Sequence, residues 1–281
     1  MTGGKLRKYA SILPWLKKEA FQQVGLIGSA NSNHIVSAAQ LLIASGIQVV
    51  PIVKQSWAKG SNQTLLELLI DRSDWIEIDN QTWFEAENIA EKWAEDQSNA
   101  GIKTAFLPEG AFVSEALLGA MTLSKEIIEQ SQYLKTDFQH IFIDAGTCLS
   151  AIGLAFGMAE LSFLGQLHVV SMAEDENGFW QRWENASNWL PADHKEDIEA
   201  FKSNIALHRP VSAPRFGTKN QTVMDAIQRY ARDFGLLTDP IYSAKHLMTC
   251  EMVVSSLPED EPVLIIHGGG AQSLLGFLSS E

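Results

Sequence analysis

Three short segments of this chain combine small side chains with hydroxyl or amide groups, and each adjoins a run of β-branched residues. GSANSNH (28–34) continues from VGLIG (24–28). Its small side chains let backbone N–H groups approach a ligand, and Ser32 and Asn33 can donate hydrogen bonds; the same residue types are frequent helix N-caps, so both readings stand at this point. DAGTCLSAIG (144–153) continues from HIFID (140–144). A Gly-Thr turn with Ser150 at the start of an apolar helix suits a phosphate, because N–H donors, hydroxyls and the positive end of the helix dipole converge there. The segment has neither the lysine of a P-loop nor the glycine spacing of a dinucleotide fingerprint. HGGG (267–270) ends the run VLIIH, and its three glycines permit a tight turn against a flat ligand or a flexible turn near the C-terminus. A fourth segment, GGKLRKY (3–9), sets Lys5 close to Arg7 and Lys8. It reads either as a frayed basic tail or as the front edge of a reactive site.

The elements that must position these segments alternate. Strand patterns at 24–28, 47–53, 75–78, 104–110, 140–144, 167–172 and 263–267 are separated by helical patterns, among them 34–46, the leucines at 65–69, 114–130 and the face Val223, Ile227, Tyr230 and Phe234. Pro51 suggests that the strand at 47–53 lies at an edge or an end. This order predicts an α/β fold with mostly parallel sheet and a site at the carboxyl ends of strands. No internal repeat is visible. Residues 173–213 are the least regular stretch; Trp180, Trp183 and Trp189 there suggest a packing flap or a lid.

The whole-chain totals narrow the setting. A net charge of −13 over 281 residues disfavours a broad nucleic-acid or anionic-membrane surface. Cys148 and Cys250 supply neither a disulfide framework nor a zinc spacing, which fits a reducing cytosol. No metal site is expected. The first residues lack the apolar core of a signal peptide, and no apolar run approaches transmembrane length.

Read in order, GGKLRKY, GSANSNH, LPEG, DAGTCLSAIG, DPIYSAK and IIHGGG resemble the signature series of the pyridoxal-phosphate enzymes grouped as 1-aminocyclopropane-1-carboxylate deaminase and D-cysteine desulfhydrase. The likeness runs from about Gly3 to Phe277. It implies a three-layer αβα, tryptophan-synthase-β-like fold (fold type II) with two open parallel-sheet domains: a small one over 20–130 and a large one over 131–281, with 1–19 contributing the lysine segment. It implies pyridoxal 5'-phosphate as cofactor and a small amino acid as substrate. It also implies a cytoplasmic homodimer, with no nucleic-acid or membrane partner. By position, Lys5 inherits the Schiff-base lysine, and Asn33 the asparagine that hydrogen-bonds the cofactor's phenolic oxygen. Ser32 falls near the substrate carboxylate, and Gly146, Thr147, Cys148, Leu149 and Ser150 on the phosphate loop. Tyr242 lies close to the ring and substrate as acid, base or orienting group, and Gly268 near the pyridine nitrogen. A lysine that attacks an aldehyde must first lose its proton; burial and the charges of Arg7 and Lys8 would favour that loss. The cofactor's ring supplies the electron sink.

Four departures accompany the likeness. The family has a few dozen residues ahead of its Schiff-base lysine where four stand here, so the layout is N-terminally short. Gly4 replaces an asparagine. Cys148 and Leu149 replace a glycine and a small polar residue, so their bulk is expected to crowd a phosphate; Cys148 itself reads as a buried packing residue rather than a nucleophile. Gly268 replaces the threonine of desulfhydrase-like members and Ser243 the glutamate of deaminases. With no acid at 243 and no side chain at 268, β-elimination of the D-cysteine desulfhydrase kind is expected rather than cyclopropane opening. A catalytically degenerate relative with a binding or structural role is the alternative, and a β-replacement enzyme consuming O-acetylserine and sulfide a third reading. His34 and His267 read either as catalytic or as hydrogen-bonded core histidines.

Overall fold

The computed structural model describes residues 4–55 and 60–278; Gly3, the first glycine of the Lys5 motif, lies outside the described residues. The chain divides into two compact units, 1–116 with 272–281, and 117–271.

The first unit contains α1 (Lys5–Lys18), β1 (Gln23–Ser29), α2 (Asn33–Ala44), β2 (Gln48–Lys54), α3 (Ser61–Leu69), β3 (Ile76–Ile78), α4 (Ala86–Asn99) and β4 (Thr104–Leu107). Its four parallel strands lie in the order β3-β2-β1-β4. The basic opening segment is therefore not a frayed tail. It begins a helix whose Tyr9, Ile12 and Leu16, spaced three and four residues apart, are fully buried. Ile27, Ile52 and Ile78, one from each of three neighbouring strands, form a core with Ala86 and Ala90 of α4. Pro51 sits in an interior strand rather than at an edge. The fold tolerates it because β3 pairs with β2 only from Ile52 onward, so at Pro51 that flank carries no ladder.

The second unit contains β5 (His140–Ala145), α6 (Leu149–Glu160), β6 (Gln166–Ser171), α7 (Glu176–Ser187), α8 (Lys195–Phe201), β7 (Ile205–His208), α9 (Gln221–Phe234), α10 (Ser243–Val254) and β8 (Val263–Ile265). It also holds most of α5 (Ser114–Leu134). Its parallel strands take the order β7-β6-β5-β8. The boundary falls at 116/117 rather than at 130/131, and residues 272–281 join the first unit. The reason is visible in α6. A Cβ at Gly153 or Gly157 would overlap Ala120 or Ser124 of α5, so two glycines one turn apart bring the helices into backbone contact. The expected irregular stretch instead supplies α7, α8 and β7. Trp183 is fully buried there, edge-on to Phe156 at 4.7 Å between ring centres, which makes this stretch part of the core.

Across the second sheet runs a chain of imidazoles. His140 on β5, His168 on β6 and His208 on β7 are linked Nδ1 to Nε2 at 2.9 Å each, and the His140 Nε2 meets Glu261 at 2.6 Å. Helices cover both faces of the sheets, as the three-layer expectation requires. No helix among the described residues is long and apolar enough to cross a membrane.

Candidate active site

In the first unit, the loop after β1 turns into α2 at Ser32, whose Oγ accepts from the His34 N–H at 3.1 Å. Ser32 is thus a cap, while its own hydroxyl proton stays available. Asn33 is oriented from outside its loop: its Oδ1 accepts from Asn62 Nδ2 at 2.8 Å, and the same Nδ2 reaches the Asn31 carbonyl at 2.9 Å. With its oxygen engaged, Asn33 presents its NH2 as a donor. Lys5 is the first residue of α1 and is half-buried. One turn later Lys8 is buried, its Nζ donating to the Gly110 carbonyl at 2.6 Å. Gly110 adopts φ +67°, and this left-handed turn in LPEG forms part of the turn whose carbonyl Lys8 meets. Burial, with the charge of Lys5 second, pushes the Lys8 amine down to about 7. His34, 3.4 Å from the Tyr9 hydroxyl, is held well below the ordinary histidine range by burial, then by Lys8 and Lys5. It is a core histidine in this arrangement.

In the second unit, the loop after β5 reaches α6 through Cys148, which adopts φ +68° and offers no side-chain cap. A residue with a Cβ at that angle is strained, which is why glycine suits the position. Cys148 and Leu149 are buried, whereas Gly146, Thr147 and Ser150 remain partly accessible. Both bulky side chains are thus packed in the interior rather than exposed on the loop. Burial, reinforced by Glu174 and opposed by Arg182, pushes the Cys148 thiol up to about 12, so it stays protonated and packs. The Leu149 N–H already donates to the Thr147 carbonyl at 3.0 Å.

Tyr242 is set by Asp239, whose carboxylate accepts from the N–H groups of Ile241, Tyr242 and Ser243 and from the Ser243 hydroxyl. Ser243, fully engaged and buried, has no reach toward a ligand. A Cβ placed on Gly146 would come within 3.0 Å of the Tyr242 hydroxyl oxygen, so Gly146 is the floor on which that ring rests. Just beyond β8, His267 Nδ1 accepts from the Gly269 N–H at 3.1 Å, and its buried Nε2 has no partner among the described residues. An open hollow of about 600 Å3 beside α4 and β4, lined by Phe21, Glu91, Ala94, Glu95, Thr104 and Phe106, contains none of these residues.

The profile of the pyridoxal-phosphate dependent enzymes matches residues 2–269, nearly the whole chain. The chain belongs to that family. It is 25% identical to the D-cysteine desulfhydrase of Serratia proteamaculans (strain 568), covering 99% of this chain and 84% of that protein. It is 22% identical to the D-cysteine desulfhydrase of Klebsiella pneumoniae (strain 342), over 99% and 85%. Among solved structures, the crystal structure of an ACC deaminase homologue superposes with a TM-score of 0.83 at 21% identity, over 98% of this chain and 82% of that one. The last likeness concerns the fold.

The residues fit the family's cofactor. Gly146 keeps open a cradle that a Cβ would fill, and the start of α6 carries no side-chain cap where a phosphate would serve as one. Beside Asn33, the buried Asn62 Oδ1 and Gln63 Oε1 have no partner among the described residues, so they offer polar capacity to a ligand. Asn62 and Asp239 carry no role in the motif series, and Lys8 enters it only as a charge beside Lys5. Nothing in one sequence marks Asn62; Asp239, by contrast, stands in the Asp-Pro start of DPIYSAK and was readable as a turn-former.

Proposed function

We propose that this pyridoxal-phosphate dependent enzyme is a lyase or deaminase of small amino acids, with D-cysteine the first substrate to test and 1-aminocyclopropane-1-carboxylate the second. The observation that carries the reading is the likeness to two D-cysteine desulfhydrases over 99% of the chain, with the six motif segments in order and Lys5, Asn33 and Tyr242 in place within them. A degenerate, non-catalytic role is not favoured by a likeness of that extent.

In this reading the cofactor, attached at the Lys5 amine, supplies the electron sink that stabilises negative charge at the substrate's Cα. Asn33 donates its NH2 to the phenolic oxygen, its orientation held by Asn62. Gly146, Thr147, Cys148, Leu149 and Ser150 hold the phosphate, with Thr147 and Ser150 contributing hydroxyls and the start of α6 its dipole. Ser32 receives the substrate carboxylate. With the cofactor bound, the Lys5 amine would move the Cα proton, and Tyr242, kept in place by Asp239, would orient the leaving group or give it a proton. Gly268 lies at the ring nitrogen. A cytoplasmic homodimer is the assembly we assign.

The test is direct. Protein loaded with cofactor and reduced by borohydride should carry the pyridoxyl group on Lys5, as located by mass spectrometry. D-cysteine should release sulfide, pyruvate and ammonia, and Lys5→Ala should abolish both labelling and turnover. Labelling at another lysine, or sulfide release surviving in Lys5→Ala, would overturn the assignment.

A further inference from the structure

Two positions from which relatives address the cofactor's ring nitrogen, 243 and 268, are occupied here by a serine engaged elsewhere and by a glycine. The second unit shows what fills that space. A Cβ built on Gly268 would lie 2.8 Å from Asp144 Oδ1 and 3.5 Å from Oδ2. Asp144 is the penultimate residue of β5, at the carboxyl end of the strand, where open α/β sheets bind their ligands. Glycine at 268 and aspartate at 144 are therefore a complementary pair: any side chain at 268 would collide with the carboxylate.

That carboxylate is partly buried and has no hydrogen-bond or ion-pair partner among the described residues. Its titratable neighbours do not neutralise it. His246, from α10, is almost wholly buried, held below its ordinary range chiefly by burial, and bonded to the Ile266 backbone. His267 accepts from Gly269 through Nδ1, and the buried Cys250 thiol is pushed up by burial and by Asp144. The carboxylate is thus an unshared acceptor at the strand end, and the position suits a ligand that brings an N–H donor.

We propose that Asp144 is the ring-nitrogen partner in this enzyme and holds a proton on that nitrogen, replacing the side chains absent at 243 and 268. This rests on the assignment of Gly268 to the ring-nitrogen position under Proposed function. The chemical consequence differs from that of a hydroxyl. An ionised carboxylate can only accept a hydrogen bond, so the nitrogen must carry the proton; a serine or threonine hydroxyl can instead donate to a neutral nitrogen. A cationic ring withdraws electrons more strongly, so this enzyme reaches the stronger electron sink from a strand end. Demanding eliminations or ring opening, which the missing glutamate argued against, come back within its chemistry.

The experiment loads the enzyme with cofactor carrying 15N in the ring and records its nitrogen resonance, with borohydride mapping of Lys5 in parallel. The expected result is a protonated ring nitrogen in the parent and a downfield move to the unprotonated position in Asp144→Asn, with one cofactor per chain retained. An unprotonated nitrogen in the parent overturns the proposal on its own, whatever the variants do, while cofactor on Lys5 leaves the functional reading intact. A protonated nitrogen unchanged in both Asp144→Asn and Asp144→Ser also overturns it. Absence of label on Lys5 overturns the functional reading, and the proposal with it.

Discussion

The two units wind their sheets identically. Each places its first strand beside its second and fourth, giving β3-β2-β1-β4 in one and β7-β6-β5-β8 in the other, all parallel. In each, the loop leaving the first strand leads straight into a helix, α2 or α6. The two loops nevertheless solve the helix start in opposite ways. Ser32 caps α2 with its own oxygen, whereas Cys148 enters α6 in a left-handed conformation with no cap at all. One unit offers side-chain amides and hydroxyls propped by a neighbouring helix; the other offers backbone and a bare helix end. Topology puts a strand-to-helix loop at the same strand end twice, and the loop residues decide what each can offer a ligand.

The units also bury different bases, and titration should separate them by the largest effect. Lys8 titrates near 7 when folded against 10.5 when unfolded, and His168 near 4 against 6.5, both depressed first by burial. In each window the unfolded chain binds more protons, so stability falls as pH falls: from 10.5 toward 7 for Lys8, and from 6.5 toward 4 for His168. The slope is up to about 1.4 kcal/mol per pH unit. His168 is flanked in its window by His140 and His208, which lower it further. Urea melts against pH should show both limbs, with Lys8→Met flattening the alkaline limb and His168→Gln the acidic one. Limbs that persist in both variants would assign the titrations to other groups.

This comparison also shows what a single sequence exposes. Strand runs such as VGLIG and HIFID are legible because burial on both faces demands continuous apolar residues, and the loops after them because glycine and small polar residues punctuate them. The equal winding of the sheets is not legible, since unrelated side chains satisfy the same topology and no repeat survives in the residues. β7 was hidden because each of its four residues is only partly buried, leaving little alternation to detect. Asn62 orients Asn33 across 29 residues, and Asp144 meets Gly268 across more than a hundred. Contacts of that kind belong to the fold, and no local pattern encodes them. Cys148 is buried, as a packing residue should be, but its left-handed conformation is a property of the turn that residue type does not announce.

The next effect in size concerns close approach. In β1, a Cβ on Gly25 would meet the Trp93 ring at 2.7 Å and Ile52 Cδ1 at 2.9 Å, both ends of side chains that can shift. In α6, a Cβ on Gly157 would overlap Ser124 and come within 2.8 Å of the Met121 carbonyl, which is backbone of a facing helix. Gly157→Ala should therefore cost about 3 kcal/mol and Gly25→Ala nearer 1 kcal/mol, measured as urea midpoints. Equal costs would mean that α5 yields as easily as a side chain does.

The smallest effect tests the two helix starts themselves. Ser32→Ala should remove a cap worth about 1 kcal/mol. At Cys148 the terms oppose each other: glycine relieves roughly 1–2 kcal/mol of left-handed strain but gives up a buried sulfur of comparable worth. Cys148→Gly should leave stability within about 1 kcal/mol of the parent, while Cys148→Ala keeps the strain, loses the sulfur and falls below it. Phosphate added as a cap should raise the melting temperature of Cys148→Gly at least as much as that of the parent, because neither has a side-chain cap at the start of α6. If Cys148→Ala proved more stable than Cys148→Gly, the left-handed entry into α6 would be wrong, and the contrast between the two loops would fail at its weaker side.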